Sequence, residues 1–301
     1  MSDRSDSSKV WPELPLTPWK DTYSTLHMWT QIVGKIRLAL APAVNHFWHV
    51  PLYVDSRGLT TSAIPYTDGF FEIYFDFIDH VLRIETSVGA SRVLRLEPRA
   101  VADFYADLMA VLRSLGIEVS IWRMPVEIPN PIPFDEDRQH ASYDSEQVHR
   151  FWTALLRMTP VFEEFRGRFI GKASPVHFFW GSFDLAATRF SGRLAPERPG
   201  ADRMMREAYS HEVISAGFWP GGNGVDASFY AYAVPEPAGY AQSAVLPGSA
   251  YYHPELKEFL LPYESVRQSA SPRESLREFL QSTYDSAANL GKWDRAALER
   301  R

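Results

Sequence analysis

Phe71, Ile73, Phe75 and Phe77 alternate with Glu72, Tyr74, Asp76 and Ile78. A period of two places one apolar row on a single face and predicts a half-buried strand over 70–78. Shorter strands follow at 81–86 and 92–96, with Asp79 and His80 at the first turn, where an aspartate accepts turn geometry readily. Strand candidates also lie at 50–54 and 59–64. Before them, Trp29, Ile32, Val33, Ile36 and Leu40 keep helical spacing, and Ser24 or Thr25 is the expected cap. After them, Pro98 opens a helix that buries Val101, Phe104, Leu108 and Leu112, and Gly116 closes it. Residues 117–122 are then expected to return as a strand.

The pattern restarts further on. Ser145 precedes a helix with Val148, Trp152, Leu155, Leu156 and Val161 at its apolar positions. Strands are expected at 176–180, 213–219, 229–234 and 259–262, with Pro220-Gly-Gly-Asn-Gly224 as a hairpin loop and 193–203 as a loop. Pro272 opens a last helix carrying Leu276, Phe279, Leu280, Tyr284 and Ala287. The resulting fold class is α+β, with two related halves, each an antiparallel sheet packed against helices. The expected organisation is an extended N-terminal arm over 1–20, in which Pro12, Pro15 and Pro18 oppose a helix, a first half over 21–123, a proline-rich and acidic linker over 124–143, and a second half over 144–301. Trp29-Thr30 matches Trp152-Thr153, residues 50–64 match 176–190 without a gap, and Pro98-Arg99 matches Pro272-Arg273. These matches predict an internal duplication about a pseudo-twofold axis.

Composition narrows the chemistry. There is no cysteine, so disulfides, thiolate nucleophiles and thiolate-bound metals are excluded. A formal net charge of −6 disfavours a sequence-independent grip on nucleic-acid phosphates. The first ten residues carry no apolar run for export, and no stretch has the length of apolar residues a bilayer span needs. The expectation is a soluble, cytoplasmic protein with a small-molecule partner, without a nucleic-acid or membrane partner. No motif names a cofactor, and no feature sets the oligomeric state.

Several runs are distinctive: Trp11-Pro-Glu-Leu-Pro, Thr25-Leu-His-Met-Trp-Thr-Gln-Ile-Val-Gly-Lys35, His49-Val-Pro-Leu-Tyr-Val, Phe75-Asp-Phe-Ile-Asp-His80, Ser174-Pro-Val-His-Phe-Phe-Trp-Gly-Ser-Phe-Asp184, Ser210-His-Glu, Phe218-Trp-Pro-Gly-Gly and Tyr252-His-Pro-Glu255. On these, spread over nearly the whole chain, the sequence resembles a bacterial family of similar length with no established activity. The resemblance therefore implies no catalytic residues.

The densest mixture of polar and aromatic residues lies in the second half. His177, Trp180, Asp184, His211, Glu212, Trp219, Tyr252 and His253 are the candidate ligand-binding residues there. They would line a cleft in the second half or between the halves of a small-molecule-binding protein or enzyme. His177, His211 and His253 could in principle join a carboxylate around a metal, but no fixed spacing such as HExxH supports this. No metal is predicted. The simpler reading makes His177 a hydrogen-bonded core histidine. His46 and His49 share a helical face, and packing is the simpler role for them too. Asp76, Asp79 and His80 invite an acid–base reading, yet no nucleophile elbow accompanies them. The run Phe229-Tyr-Ala-Tyr-Ala fits either close sheet–helix packing or an aromatic-walled pocket. The alternative to ligand binding is a non-catalytic interaction or structural module, with an exposed aromatic patch on the arm of Trp11 and Trp19 or on a sheet face as its partner surface.

Overall fold

The computed structural model describes residues 11–67, 69–222 and 224–300. Helix α1 (Leu16–Leu40) leads into three short strands, β1 (Tyr53–Val54), β2 (Gly58–Thr60) and β3 (Ile64–Tyr66). A longer meander follows, β4 (Gly69–Asp76), β5 (Val81–Thr86) and β6 (Ser91–Arg95), and then helix α2 (Val101–Ser114). Helix α3 (Ser145–Gly167) precedes β7 (His177–Phe179), β8 (Asp184–Leu194), α4 (Arg203–Ala208), β9 (His211–Gly222) and β10 (Val225–Val234). The chain ends with β11 (Tyr251–His253), β12 (Glu258–Pro262), α5 (Tyr263–Arg267), α6 (Pro272–Leu290) and α7 (Arg295–Leu298). The fold is α+β with two antiparallel six-stranded sheets. One has the order β1-β2-β4-β5-β6 with β3 also on β4, and the other β11-β12-β10-β9-β8-β7.

The alternating row is realised as β4, where Phe71, Ile73 and Phe75 are buried and Asp76 pairs with Val81 across the predicted turn. The glycine-rich hairpin joins β9 to β10, with Gly222 opposite Val225; its Asn223 lies outside the described residues. Pro272 stands in the first turn of α6, as its fixed φ and missing N–H allow. The matched segments 50–64 and 176–190 hold β1, β2 and the first residue of β3 in one case and β7 and the first part of β8 in the other, with β2 and β8 starting at the matched positions Gly58 and Asp184.

Two segments depart from the sequence pattern. Residues 1–10 of the expected extended arm lie outside the described residues, and from Leu16 onward the arm is already helix α1. Pro18 is no obstacle, because the first four N–H groups of a helix have no partner in the helix in any case. Ser24 and Thr25 consequently sit inside the helix, and their hydroxyls donate back to the carbonyls of Lys20 (2.9 Å) and Asp21 (3.1 Å). Residues 117–122 form no strand, although Ile117 and Ile121 are buried.

The chain divides into two compact units. One comprises Thr17–Trp152 with His177–Asp184, and the other the described residues of Met1–Leu16, Thr153–Val176 and Leu185–Arg301. The first is built on α1, which is buried continuously from Thr25 to Arg37. Trp29 stacks on Phe104 (4.6 Å between centroids) and Tyr143 (5.4 Å). The core of the second unit gathers Trp11, Phe218, Phe229 and Tyr263. It also encloses Arg189, whose guanidinium lies 3.5 Å from the Phe165 ring centroid and 4.2 Å from that of Tyr284, and donates to the Phe165 carbonyl. Burial pulls the Arg189 proton affinity down to about 10.

Candidate functional site

A helix buried on every side must find partners for each polar side chain it carries. On α1, His27, Gln31 and Lys35 recur at intervals of four and so lie on one face. His27 Nε2 donates toward the carbonyls of Gly181 (2.8 Å) and Trp180 (3.0 Å). Gln31 exchanges two hydrogen bonds with the backbone of Val126, both 2.9 Å. Lys35 Nζ donates to the carbonyls of Trp122 (3.2 Å) and Met124 (2.5 Å) and stands 4.5 Å from the Trp122 ring centroid. The stripe thus supplies hydrogen bonds to two irregular segments, one rich in proline and poor in donors of its own. Burial lowers the His27 imidazole to about 4 and the Lys35 amine to about 8.

The same unit explains Trp180 and Gly34. The Trp180 indole N–H donates to the Val50 carbonyl (2.8 Å), and its ring occupies the space that a Cβ at residue 34 would need. Beside this cluster are the exposed Glu127 and Ser182 and the buried Asp184. Ser182 Oγ donates to Asp184 Oδ1 (2.7 Å). Dense surroundings, and then the charge of Asp184, push the Glu127 carboxyl above its ordinary range, although the residue itself is exposed. Glu127 and Phe183 hold positive φ of 58° and 59°, a conformation that costs a side-chain-bearing residue about 1 kcal/mol or more. His177 is fully buried among the rings of Trp48, Tyr53 and Phe179, at 5.3–5.8 Å between centroids. His46 and His49 are buried nearby in sequence, and His49 Nδ1 accepts from the Val44 N–H (3.1 Å).

Asp76 is a buried carboxylate of structural type. Burial opposes its ionisation, but hydrogen bonds from Arg57 (2.6 Å) and from the N–H groups of Asp79 and Ile78 (3.0 Å each) hold it below the usual range. Asp79 also pairs with Arg57 and Arg83, so these carboxylates are occupied in shaping the turn.

The second unit contains a cavity of about 470 Å³ at one end of β10. Alternation along β10 sends Phe229, Ala231 and Ala233 to the buried face and leaves Tyr230 and Tyr232 half-exposed. Gly217, opposite Tyr230, yields the space its ring takes. Tyr232 exchanges a hydroxyl hydrogen bond with Tyr209 (2.9 Å), and the Arg198 guanidinium lies 4.4 Å from the Tyr209 ring centroid. Glu236, Lys257 and Glu258 complete the polar wall, and Val234, Pro235 and Leu256 the apolar one. Tyr252 donates to Glu236 Oε2 (2.7 Å). Desolvation, followed by that bond to Glu236, pushes its phenol up to about 12.

His177, Trp180 and Asp184 belong to the unit of α1, whereas His211, Glu212, Trp219, Tyr252 and His253 belong to the other. Within the latter, Tyr252 bonds a residue of the cavity wall. Glu212 lines a smaller cavity of about 180 Å³, where it binds Ser191 (2.9 Å) and Arg193 (2.6 Å), and Arg193 in turn caps the carbonyls of Gly291 (2.6 Å) and Lys292 (3.0 Å). His211 contacts its neighbour Ser210 (3.0 Å). His253 holds the β11–β12 turn, its Nδ1 accepting from Leu256 (3.3 Å) and its carbonyl from Lys257 (2.8 Å). Trp219 packs its ring against Gly222. Among the described residues, no three His, Asp or Glu side chains are grouped to hold a metal ion, and no helix is long and apolar enough to cross a membrane. The aromatic patch expected on the arm is not exposed: Trp11 packs on Tyr263 (5.9 Å) and Trp19 on Phe151 (5.2 Å), and both are buried. Sequence reasoning singled out the strand of Tyr232 but missed Arg198, Tyr209, Glu236, Lys257 and Glu258, and it missed His27, Gln31 and Lys35.

A family model described as a family of unknown function, DUF5996, matches residues 11–300. The chain belongs to DUF5996. No curated protein and no solved structure matches it. The DUF5996 match covers both compact units, so the α1 stripe and the cavity beside β10 both lie within the family's span.

Proposed function

We propose that this DUF5996 protein binds a small molecule in the cavity beside β10. A bacterial, cytoplasmic setting is part of the reading, on the family resemblance and the cysteine-free composition. The observation that carries it is the cavity itself. Its volume of about 470 Å³ lies within the range of about 300–1,000 Å³ typical of ligand sites, and its wall joins apolar surface to a few convergent polar groups. The polar groups around α1 are spent on backbone partners, whereas the cavity presents tyrosine, arginine, lysine and glutamate side chains to one open space.

A thermal-shift screen over metabolite-sized compounds tests the reading, because a ligand that binds only the folded state raises its melting point. The comparison protein is Leu256→Trp, which places an indole at the cavity wall from an exposed position. Compounds that stabilise the wild type and lose that effect in Leu256→Trp are the expected result. Equal shifts in both proteins, or no shift from any compound, would overturn it.

A further inference from the structure

The smaller cavity, of about 180 Å³, lies where β9, the end of β10 and the end of α6 come together. Three alanines leave it open. Ala233, Ala238 and Ala287 stop short of the space that longer side chains would fill, and Ile214, Leu290 and Trp293 extend the apolar wall. The charged side chains of the wall are Glu212 and Arg193. Arg193 engages four of its five N–H groups within the protein. Two go to Glu212 Oε2 (2.8 and 2.6 Å), one to the Gly291 carbonyl (2.6 Å) and one to that of Lys292 (3.0 Å). Ser191 also donates to Glu212 Oε2 (2.9 Å). Among the described residues, Oε1 of the same carboxylate receives no hydrogen bond. Glu212 is therefore held through one oxygen, its charge is matched by Arg193, and its other oxygen is left to accept.

These features define the guest. An apolar space of about 150 Å³ is enough for a benzene-sized molecule. An anion would find Arg193 already engaged, and a cation would find Glu212 already matched. Either would bring a charge out of water against an apolar wall without a counter-ion. A neutral molecule with one N–H or O–H can instead donate to Glu212 Oε1, and a hydrogen bond to an ionised acceptor is stronger than one between neutral groups. The Trp293 ring adds an aromatic surface on which a flat molecule packs well. We infer that this cavity is a second binding site, for a small neutral aromatic molecule with a single hydrogen-bond donor, of the phenol or indole type. The site is distinct from the cavity beside β10. The two share Ala233, Val234 and Pro235, but Glu212, Ala238 and Trp293 line only the smaller.

Calorimetric titration of the full chain with indole, benzofuran, benzoate and benzylammonium tests this. Benzofuran keeps the shape of indole and lacks its N–H. Indole is expected to bind about tenfold or more tightly than benzofuran, and neither charged probe to bind. In Glu212→Gln, Ser191 and Arg193 hold the amide oxygen and leave the amide N–H groups for the guest, so the preference for indole should vanish. Ala238→Leu fills the cavity from an exposed position and should abolish indole binding. Equal affinity of indole and benzofuran for the wild type overturns the inference, as does a preference unchanged in Glu212→Gln, tighter binding of either charged probe, or no binding of any of the four. Indole binding that survives Ala238→Leu overturns it too, and its loss in Leu256→Trp instead would assign the guest to the cavity beside β10.

Discussion

The stripe on α1 and the cavity beside β10 draw on similar side chains, yet their chemistry is disposed oppositely. His27, Gln31 and Lys35 are buried, and each gives its hydrogen bonds to backbone carbonyls. Arg198, Lys257 and Glu236 are open to solvent; Arg198 lies over the Tyr209 ring and Glu236 accepts from Tyr252, contacts that leave their charges unbalanced. Saturated polar groups specify a fold, since removing one partner strands the other. Unsaturated charges around a cavity add little to stability and remain for a ligand. If the contrast is right, substitutions in the first region should be read in stability and those in the second in ligand response.

The sharpest way to break the comparison is Gly34→Ala. The new methyl collides with the Trp180 ring, which its bond to Val50 keeps from swinging aside. A loss of about 3 kcal/mol is expected from such overpacking, measured by chemical denaturation. A loss under about 1 kcal/mol would show that Trp180 is not fixed. A comparable effect should appear with pH through His27. Its pKa is lowered to about 4 in the fold from the ordinary 6.5. Its contribution is therefore complete above 6.5 and is lost as pH falls toward 4, because the unfolded chain takes the proton first. The shift corresponds to roughly 3 kcal/mol across that window. His27→Gln should be less stable at pH 7 and show a shallower fall between pH 6.5 and 4, as followed by urea unfolding at each pH.

Lys35→Met should cost less, about 2 kcal/mol, because the Trp122 and Met124 carbonyls lose their donor while a buried charge is removed. The wild type should also gain stability relative to this variant as pH rises from about 8 toward 10.5. Over that interval folded Lys35 has given up its proton and the unfolded chain has not. Smallest of all, Tyr232→Phe and Leu256→Trp should each change stability by under about 1 kcal/mol, while the latter abolishes any ligand-induced shift. A large stability loss in Leu256→Trp would place the cavity wall in the same class as the α1 stripe and dissolve the distinction.

Legibility followed the same division. The β4 row announces itself because one face meets the core and the other meets water, so Phe71, Ile73 and Phe75 alternate visibly. The helical spacing of Trp29, Ile32 and Ile36 likewise marks α1, but its start was hidden because Pro18 reads as a breaker until it is counted among the first four helical residues. The stripe itself left a signal: His27, Gln31 and Lys35 at intervals of four on an otherwise apolar helix require internal partners. What no periodicity could show is which carbonyls those would be, since residues 122–126 and 180–181 are irregular. The cavity was less legible still. Arg198, Glu236 and Lys257 sit in connections without a repeat. They are gathered by the pairing of β10 with β12, Ala231 opposite Phe259, a register fixed only by long-range contact. Histidine density pointed toward His177, His211 and His253, and the structure gives each a local packing or turn role.

The discontinuity of the unit built on α1 has a consequence in time. Phe151 stacks on Phe183 (5.3 Å) and meets Phe178 (6.3 Å), and Trp180 fills the notch at Gly34. A ribosome delivers residues 17–152 well before these three aromatic plugs emerge. Until residue 184 leaves the exit tunnel, the nascent unit carries an unfilled groove along its central helix. Assembly of this half is therefore gated by translation rather than by its own length, and a fragment ending at residue 152 should behave as an aggregation-prone intermediate rather than as a domain.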